Sequence, residues 1–317
     1  MPDRIREGKN MKTKLIVSLL IATLGACSLA GGKSDDTSSK NMLYAVILAN
    51  TATTINFGLD SGTLKNVGCT GYVSSDTVKV SGGTQVSLKD ARFYVYDVNL
   101  IKTDGTKSAF SLSSTGVFQN SYTANGKSYS VGLLDFADGT SNCSSGAFGT
   151  SVTSTTNTKL IGGPVVGLFS GIEFTVGVPL DLNHQDDTTL AAPLNSAGMY
   201  WSWNGGYKFM KLELQNGSSS SNAWHIGSSS CTNSVCTYAN RATITVTKTS
   251  GTFNPSTDIV ALDIQALMNG TDTTTTALSC MSGPQSSDTK CATIGTNMGV
   301  TKATGLSSGT QTAFTIR

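Results

Sequence analysis

From Ala91 onward the chain alternates apolar and polar positions with a period of two. Ala91-Arg-Phe-Tyr-Val-Tyr-Asp-Val-Asn-Leu-Ile101 places aromatic and β-branched residues at strand spacing. Lys102-Thr-Asp-Gly-Thr follows, with the Asp-Gly pair that a tight hairpin turn prefers. Residues 131–136, 171–178, 199–203, 207–214 and 242–248 repeat the pattern, separated by Gly, Asn, Ser and Asp. Short strands between turn residues predict an all-β fold, an antiparallel β-sandwich or barrel-like sheet. Residues 259–269 predict a strand running into one short helix. No Pro-rich or charged linker and no internal repeat interrupts 41–317, so a single β domain is expected there.

The first forty residues obey a different rule. A basic start at Met11-Lys-Thr-Lys, an apolar run from Leu15 and the small-residue exit Leu24-Gly-Ala-Cys27 predict a lipoprotein-type signal peptide over 1–26. Met11 is the better start. The apolar run is shorter than the roughly 20 residues a spanning helix needs. Cys27 would then carry the lipid, the alternative being a plain signal peptide with an incidental thiol. Residues 27–40 have almost nothing to bury and predict a flexible tether. Ser28, rather than Asp, after the anchor favours an outer membrane lipoprotein, attached to the membrane through its lipid alone.

Composition narrows the function classes. Charged residues make up 13% of the chain, against about 25% in ordinary soluble domains. Of 317 residues 85 are Ser or Thr and 34 are Gly, which disfavours helices and fits an exported β protein. A net charge of +2 offers no basic field for nucleic acid. With Cys27 set aside, Cys69, Cys143, Cys231, Cys236, Cys280 and Cys291 remain, an even number that implies disulfides in an exported chain. Cys231–Cys236 and Cys280–Cys291 would close local loops and leave Cys69–Cys143 as a long-range staple, although sequence alone does not choose the pairing. No CxxC spacing supports thiolate ligation of a metal instead.

Catalytic machinery is not visible. The mature chain has only Glu173 and Glu213, neither spaced with an Asp as a glycosidase pair, and no HExxH, P-loop or GxGxxG. Gly305-Leu-Ser-Ser-Gly309 matches a nucleophile elbow around Ser307. In that hydrolase fold the triad histidine follows the serine, whereas the last histidine here is His225. No catalytic residue is assigned, and a non-enzyme is expected.

The two histidines are placed informatively. His184 follows Pro179-Leu-Asp-Leu-Asn, His225 follows Ala223-Trp224, and all three tryptophans lie between the two histidines. Imidazole is a good copper or zinc ligand. Strand alternation puts Trp201 and Trp203 on one face and turns Trp224 away from His225. The residues by themselves leave open whether the histidines are metal ligands or hydrogen-bonded structural groups, and whether the tryptophans are core packing or a sugar-stacking platform.

Several runs taken together carry a resemblance. They are Phe174-Thr-Val-Gly-Val-Pro, Leu182-Asn-His184, Met199-Tyr-Trp-Ser-Trp-Asn-Gly-Gly-Tyr-Lys-Phe209, His225-Ile-Gly-Ser, Leu133-Leu-Asp-Phe-Ala-Asp-Gly-Thr-Ser-Asn-Cys143 and Cys280-Met-Ser. Over roughly residues 50–295 the chain resembles the MbnP-like family, the metallo-mystery-pair four-cysteine-motif proteins, distantly similar to the surface copper proteins MopE and CorA. The resemblance implies a β-rich exported protein with copper as its cofactor and a dihaem, cytochrome-c-peroxidase-like partner (MbnH-like). That partner would oxidise a tryptophan to kynurenine, whose aryl amine joins two histidines around copper. It further implies His184 and His225 as ligands, Trp203 or Trp201 as the oxidisable residue, and the six later cysteines as the disulfide framework. Asn183, Gln185, Asp186 and Asp187 are then expected to orient the imidazoles. The rival reading from another class is a metal-free surface adhesin or carbohydrate-binding module.

Overall fold

The computed structural model describes residues 51–317, apart from 72, 75–84, 147–148, 150, 217–219 and 274–275. The signal peptide, Cys27 and the tether lie outside the described residues.

The alternating segments form strands because β-branched and aromatic residues pack well on a pleated, half-buried surface. In chain order the strands are β1 (Thr53–Asp60), β2 (Val73–Ser74), β3 (Gln85–Lys102), β4 (Lys107–Ala109), β5 (Gln119–Ala124) and β6 (Lys127–Asp135). Then follow β7 (Lys159–Gly162), β8 (Phe169–Val176), β9 (Tyr200–Ser202), β10 (Gly206–Tyr207), β11 (Met210–Asn216) and β12 (Ser220–Ile226). The last are β13 (Ser229–Thr232), β14 (Val235–Tyr238), β15 (Ala242–Thr247), β16 (Ile259–Asp263), β17 (Ser279–Cys280) and β18 (Phe314–Ile316). Among the described residues the α-helices are short: α1 (Leu180–Asn183), α2 (Ile264–Met268) and α3 (Lys290–Met298). No helix among the described residues is long and apolar enough to cross a membrane.

The fold is a sandwich of open sheets. A large sheet runs β15-β8-β3-β11-β12-β17, with β2, β4, β5 and β6 attached through β3, and a smaller one runs β18-β16-β1-β7. Phenylalanines interlock the two layers. Phe57 and Phe314 from the small sheet meet Phe93 and Phe174 from the large one, with ring centroids 5.4–6.4 Å apart and nearly perpendicular planes. Edge-to-face pairs of this kind add about 0.5–1.5 kcal/mol each beyond their buried area. Among the described strands, pairing is antiparallel except at β1–β16 and β12–β17, which are parallel. The strand-then-helix expected at 259–269 is β16 and α2, capped by Asp263, whose carboxylate accepts from Gln265 and Ala266 N–H.

The cysteines pair as Cys69–Cys143, Cys231–Cys236 and Cys280–Cys291. Ser307 has its hydroxyl engaged with both backbone groups of Thr243 on β15, so the elbow-like run is a sheet-edge contact.

β3 is the spine of the large sheet. Its first half pairs with β11, its second half with β8, and β6 crosses the middle on the opposite edge. Tyr94 marks the join: its carbonyl accepts from Gly177 N–H as β8 ends, and its own N–H donates to Phe209 as β11 begins. Residues 178–208 therefore leave and re-enter the sheet at one place, and they carry His184, Trp201 and Trp203. The extruded loop lies over the face opposite the phenylalanines. It is tied down by Tyr94 hydroxyl to Pro193 O (3.0 Å) and Arg92 Nη1 to Ala197 O (2.7 Å), and braced within itself by Lys208 Nζ to Gly198 O (2.7 Å).

Candidate metal centre

α1 is a single turn, and its last residue anchors His184. Asn183 is fully buried; its Oδ1 accepts from Tyr207 N–H (3.2 Å), and its Nδ2 lies 3.4 Å from Ser228 Oγ. Gly206 makes this possible, because it sits at φ +74° and a Cβ there would overlap the Asn183 amide. Next to it, half-buried His184 places Nδ1 2.8 Å from the Trp203 carbonyl. A carbonyl only accepts, so Nδ1 carries the hydrogen and Nε2 keeps its lone pair. That Nε2 faces Asn183 Nδ2 at 2.9 Å and Cys236 Sγ at 3.5 Å.

His225 sits on β12 in a different setting. Its Nε2 is 2.8 Å from Glu213 Oε1, and both side chains are buried. Burial holds the imidazole below its ordinary pKa, against the pull of the Glu213 carboxylate. A carboxylate oxygen accepts, so Nε2–H donates to Glu213. Its Nδ1 is buried and has no hydrogen-bond partner. Glu213 belongs to a longer row: Lys211 Nζ is 3.4 Å from Glu213 and 2.6 Å from Asp90, and Arg92 grips Asp90 with two bonds of 2.8 and 2.6 Å. These two cations and two anions are fully buried and cancel in charge.

The tryptophans divide. Trp201 packs its ring against Gly227, two residues beyond His225, where any Cβ would collide with the indole. Lys208 Nζ lies 5.8 Å from the Trp201 ring centroid, and burial pushes this lysine down to about 8, helped by the nearby charge of Lys211. Lys208 also acts electrostatically on His225. Trp203 gives its backbone carbonyl to His184 and to the Ser234 hydroxyl, while the residue as a whole is 57% exposed. Trp224 is wholly buried and turned into the core, as strand alternation requires.

Both imidazoles thus lie near the exit of β12, His184 through the Asn183–Ser228 contact and His225 on the strand itself. They share no hydrogen-bond partner, and among the described residues no group of three or more His, Cys, Asp or Glu is arranged to hold a metal ion. The donor chemistry still fits a two-imidazole site. His225 is held through Nε2 with Nδ1 unpartnered, and His184 is held through Nδ1 with its Nε2 lone pair taken up by the Asn183 amide, a bond that a metal at Nε2 would replace. Of the groups expected from sequence to orient the rings, Asn183 does meet His184, with its Nδ2 2.9 Å from Nε2. Gln185 donates to Asp181 O and Asp186 accepts from Thr188, so these two touch no imidazole in this way. Glu213 and the Trp203 carbonyl complete the set. Glu213, Lys211, Asp90 and Arg92 escaped sequence reasoning because alternating charges on a strand read as a solvent face. The available signal was the rarity of Glu in this chain, with one of its few copies at strand spacing from a lysine.

A family model for MbnP matches residues 50–282. Among solved structures, MbnP from Methylosinus trichosporium superposes with a TM-score of 0.65 at 22% identity, covering 84% of this chain and 98% of that one. The comparison with curated proteins returned no match. At this identity the superposition establishes the shared fold, and the family match spans well over half the chain. The chain belongs to the MbnP family.

Proposed function

We propose that this protein is an exported, lipid-anchored copper-binding protein without a catalytic step of its own. It holds one copper ion through Nδ1 of His225 and Nε2 of His184, with the Asn183 amide turning away from the latter. The third donor is the aryl amine of a kynurenine derived from Trp201 by a dihaem, cytochrome-c-peroxidase-like partner. In that conversion two equivalents of peroxide, each reduced to water, supply the oxygens added at C2 and C3 as the indole C2–C3 bond breaks, and hydrolysis releases C2 as formate. Copper supplies a soft cation matched to uncharged nitrogen donors.

The observation that carries this reading is the buried Nδ1 of His225, a lone pair without a partner in a place where polar atoms are normally satisfied. Trp201 is preferred to Trp203 because its ring lies over Gly227, beside His225, whereas the Trp203 ring points to solvent. The decisive measurement is copper stoichiometry and intact mass of protein made together with the haem partner. His184→Ala and His225→Ala each lose the bound copper, Trp201→Phe loses the kynurenine mass change, and Trp203→Phe keeps it. One copper per chain retained in both histidine variants overturns the reading.

A further inference from the structure

The hairpin beside His184 carries chemistry that the two-histidine site does not use. β13 and β14 join through Asn233 and Ser234, both at positive φ (51° and 63°), and Cys231 stands directly opposite Cys236 in the register. The other disulfides are shielded: Cys69, Cys143, Cys280 and Cys291 are each 4% exposed or less, while Cys231 and Cys236 are only half-buried. Cys231 also lines an open cavity of about 390 Å³, together with Trp201, Asn204, Met281 and Gln285. Cys236 Sγ is 3.5 Å from His184 Nε2, the nitrogen that bears no hydrogen.

Three properties follow from this placement. A reductant reaches this disulfide before the other two. Opening it costs little fold stability, because the bridge spans five positions against 74 for Cys69–Cys143, and short loops constrain the unfolded chain least. The turn and the ladder keep both cysteines in register without the covalent bond. Two thiols then stand beside His184 Nε2, whose lone pair becomes available once the Asn183 amide turns away, a set of nitrogen and sulfur donors suited to thiophilic cations such as Zn²⁺, Cd²⁺ or Cu⁺. While the sulfurs are bonded to each other they are not anionic ligands.

We infer that Cys231–Cys236 gates a second metal site, closed as the disulfide and opened by reduction into a Cys231, Cys236 and His184 centre. A dithiol reductant supplies two electrons and two protons; the Cys231–Cys236 bond breaks, and the reductant's own sulfurs join as a disulfide. An incoming cation displaces the proton of each cysteine as its sulfur–metal bond forms. His225 has no part in this site, so it goes beyond the copper reading and is separable from it.

The test treats the full-length protein with a mild phosphine reductant, maps free thiols by alkylation and mass spectrometry, and titrates with Cd²⁺. The thiolate-to-Cd²⁺ charge-transfer absorption is the readout. Cys231 and Cys236 are expected to alkylate first, and the absorption to saturate at one Cd²⁺ per chain. It is expected to vanish in Cys231→Ser and Cys236→Ser, to need at least about tenfold more Cd²⁺ in His184→Ala, and to stay unchanged in His225→Ala. The inference is overturned if all three disulfides open together, if either serine variant keeps the absorption, or if His184→Ala binds as tightly as the parent. Loss of copper from oxidised His225→Ala reports on the two-histidine site alone, so either site can fail without the other.

Discussion

His225 Nε2 donates to Glu213 Oε1 across 2.8 Å inside the protein, and the same carboxylate lies 3.4 Å from Lys211 Nζ. One buried acid thus links the His225 imidazole to the Asp90–Arg92–Lys211 ion cluster. The bond fixes which ring nitrogen carries the hydrogen and so which one is free. A carboxylate behind an imidazole also raises its basicity as a donor.

Glu213→Gln removes that charge while keeping an oxygen for Nε2–H. Copper affinity is expected to fall about 10–100-fold. Equilibrium competition against a copper chelator measures it, and ring ¹⁵N shifts of the metal-free protein report the tautomer. A variant binding copper as tightly as the parent sinks this role for Glu213.

Asp90 bonds both Arg92 and Lys211 in full burial. Asp90→Ala leaves two cations short of their anion, which is expected to cost about 3–5 kcal/mol. Denaturant unfolding reads this as a lowered midpoint at unchanged slope.

Asp135 gives a pH signature. Burial pushes its carboxyl up from 3.8 to about 6, although the Thr153 hydroxyl and Arg92 pull the other way. The folded chain therefore holds this proton more tightly than the unfolded chain does. Its contribution favours folding below pH ~4 and is lost as pH rises through ~6, an upper bound of about 3 kcal/mol. Asp135→Asn is expected to gain stability at pH 7.5 relative to pH 4.5. Identical pH profiles of parent and variant, by thermal melts, contradict the shift.

Gly227→Ala tests the seat of Trp201. The added methyl collides with the indole and the Tyr207 carbonyl, so overpacking is expected to cost about 1–3 kcal/mol. Displacement of Trp201 should change tryptophan fluorescence and lower the yield of kynurenine. An unchanged yield with a shifted spectrum argues that Trp201 is not the oxidised residue.

Much of the fold was legible in the chain. Alternation over 91–101 marked part of β3, Asp104-Gly105 marked its hairpin with β4, and close cysteine spacing suggested two of the three disulfides. These features are local, set by residues within a turn or a strand of one another, and the runs around His184 and His225 carried the family in the same way.

Only tertiary structure decided the rest. Phe57 and Val260 are neighbours in the parallel β1–β16 pair although about two-thirds of the chain separates them, and no local pattern encodes that pairing. Period-two spacing pairs Asp90 with Arg92 and Lys211 with Glu213 along their own strands, but it neither brings the two pairs together, which the β3–β11 register does, nor says whether they meet water. It is the return of 178–208 over the sheet that buries them and turns a polar strand face into an ion cluster supporting His225. The same loop separates Trp201, pressed against Gly227, from Trp203 in solvent, two residues that strand spacing alone makes equivalent. Periodicity determines which side chains share a face; what covers that face depends on long-range packing, and here the packing shapes the candidate site.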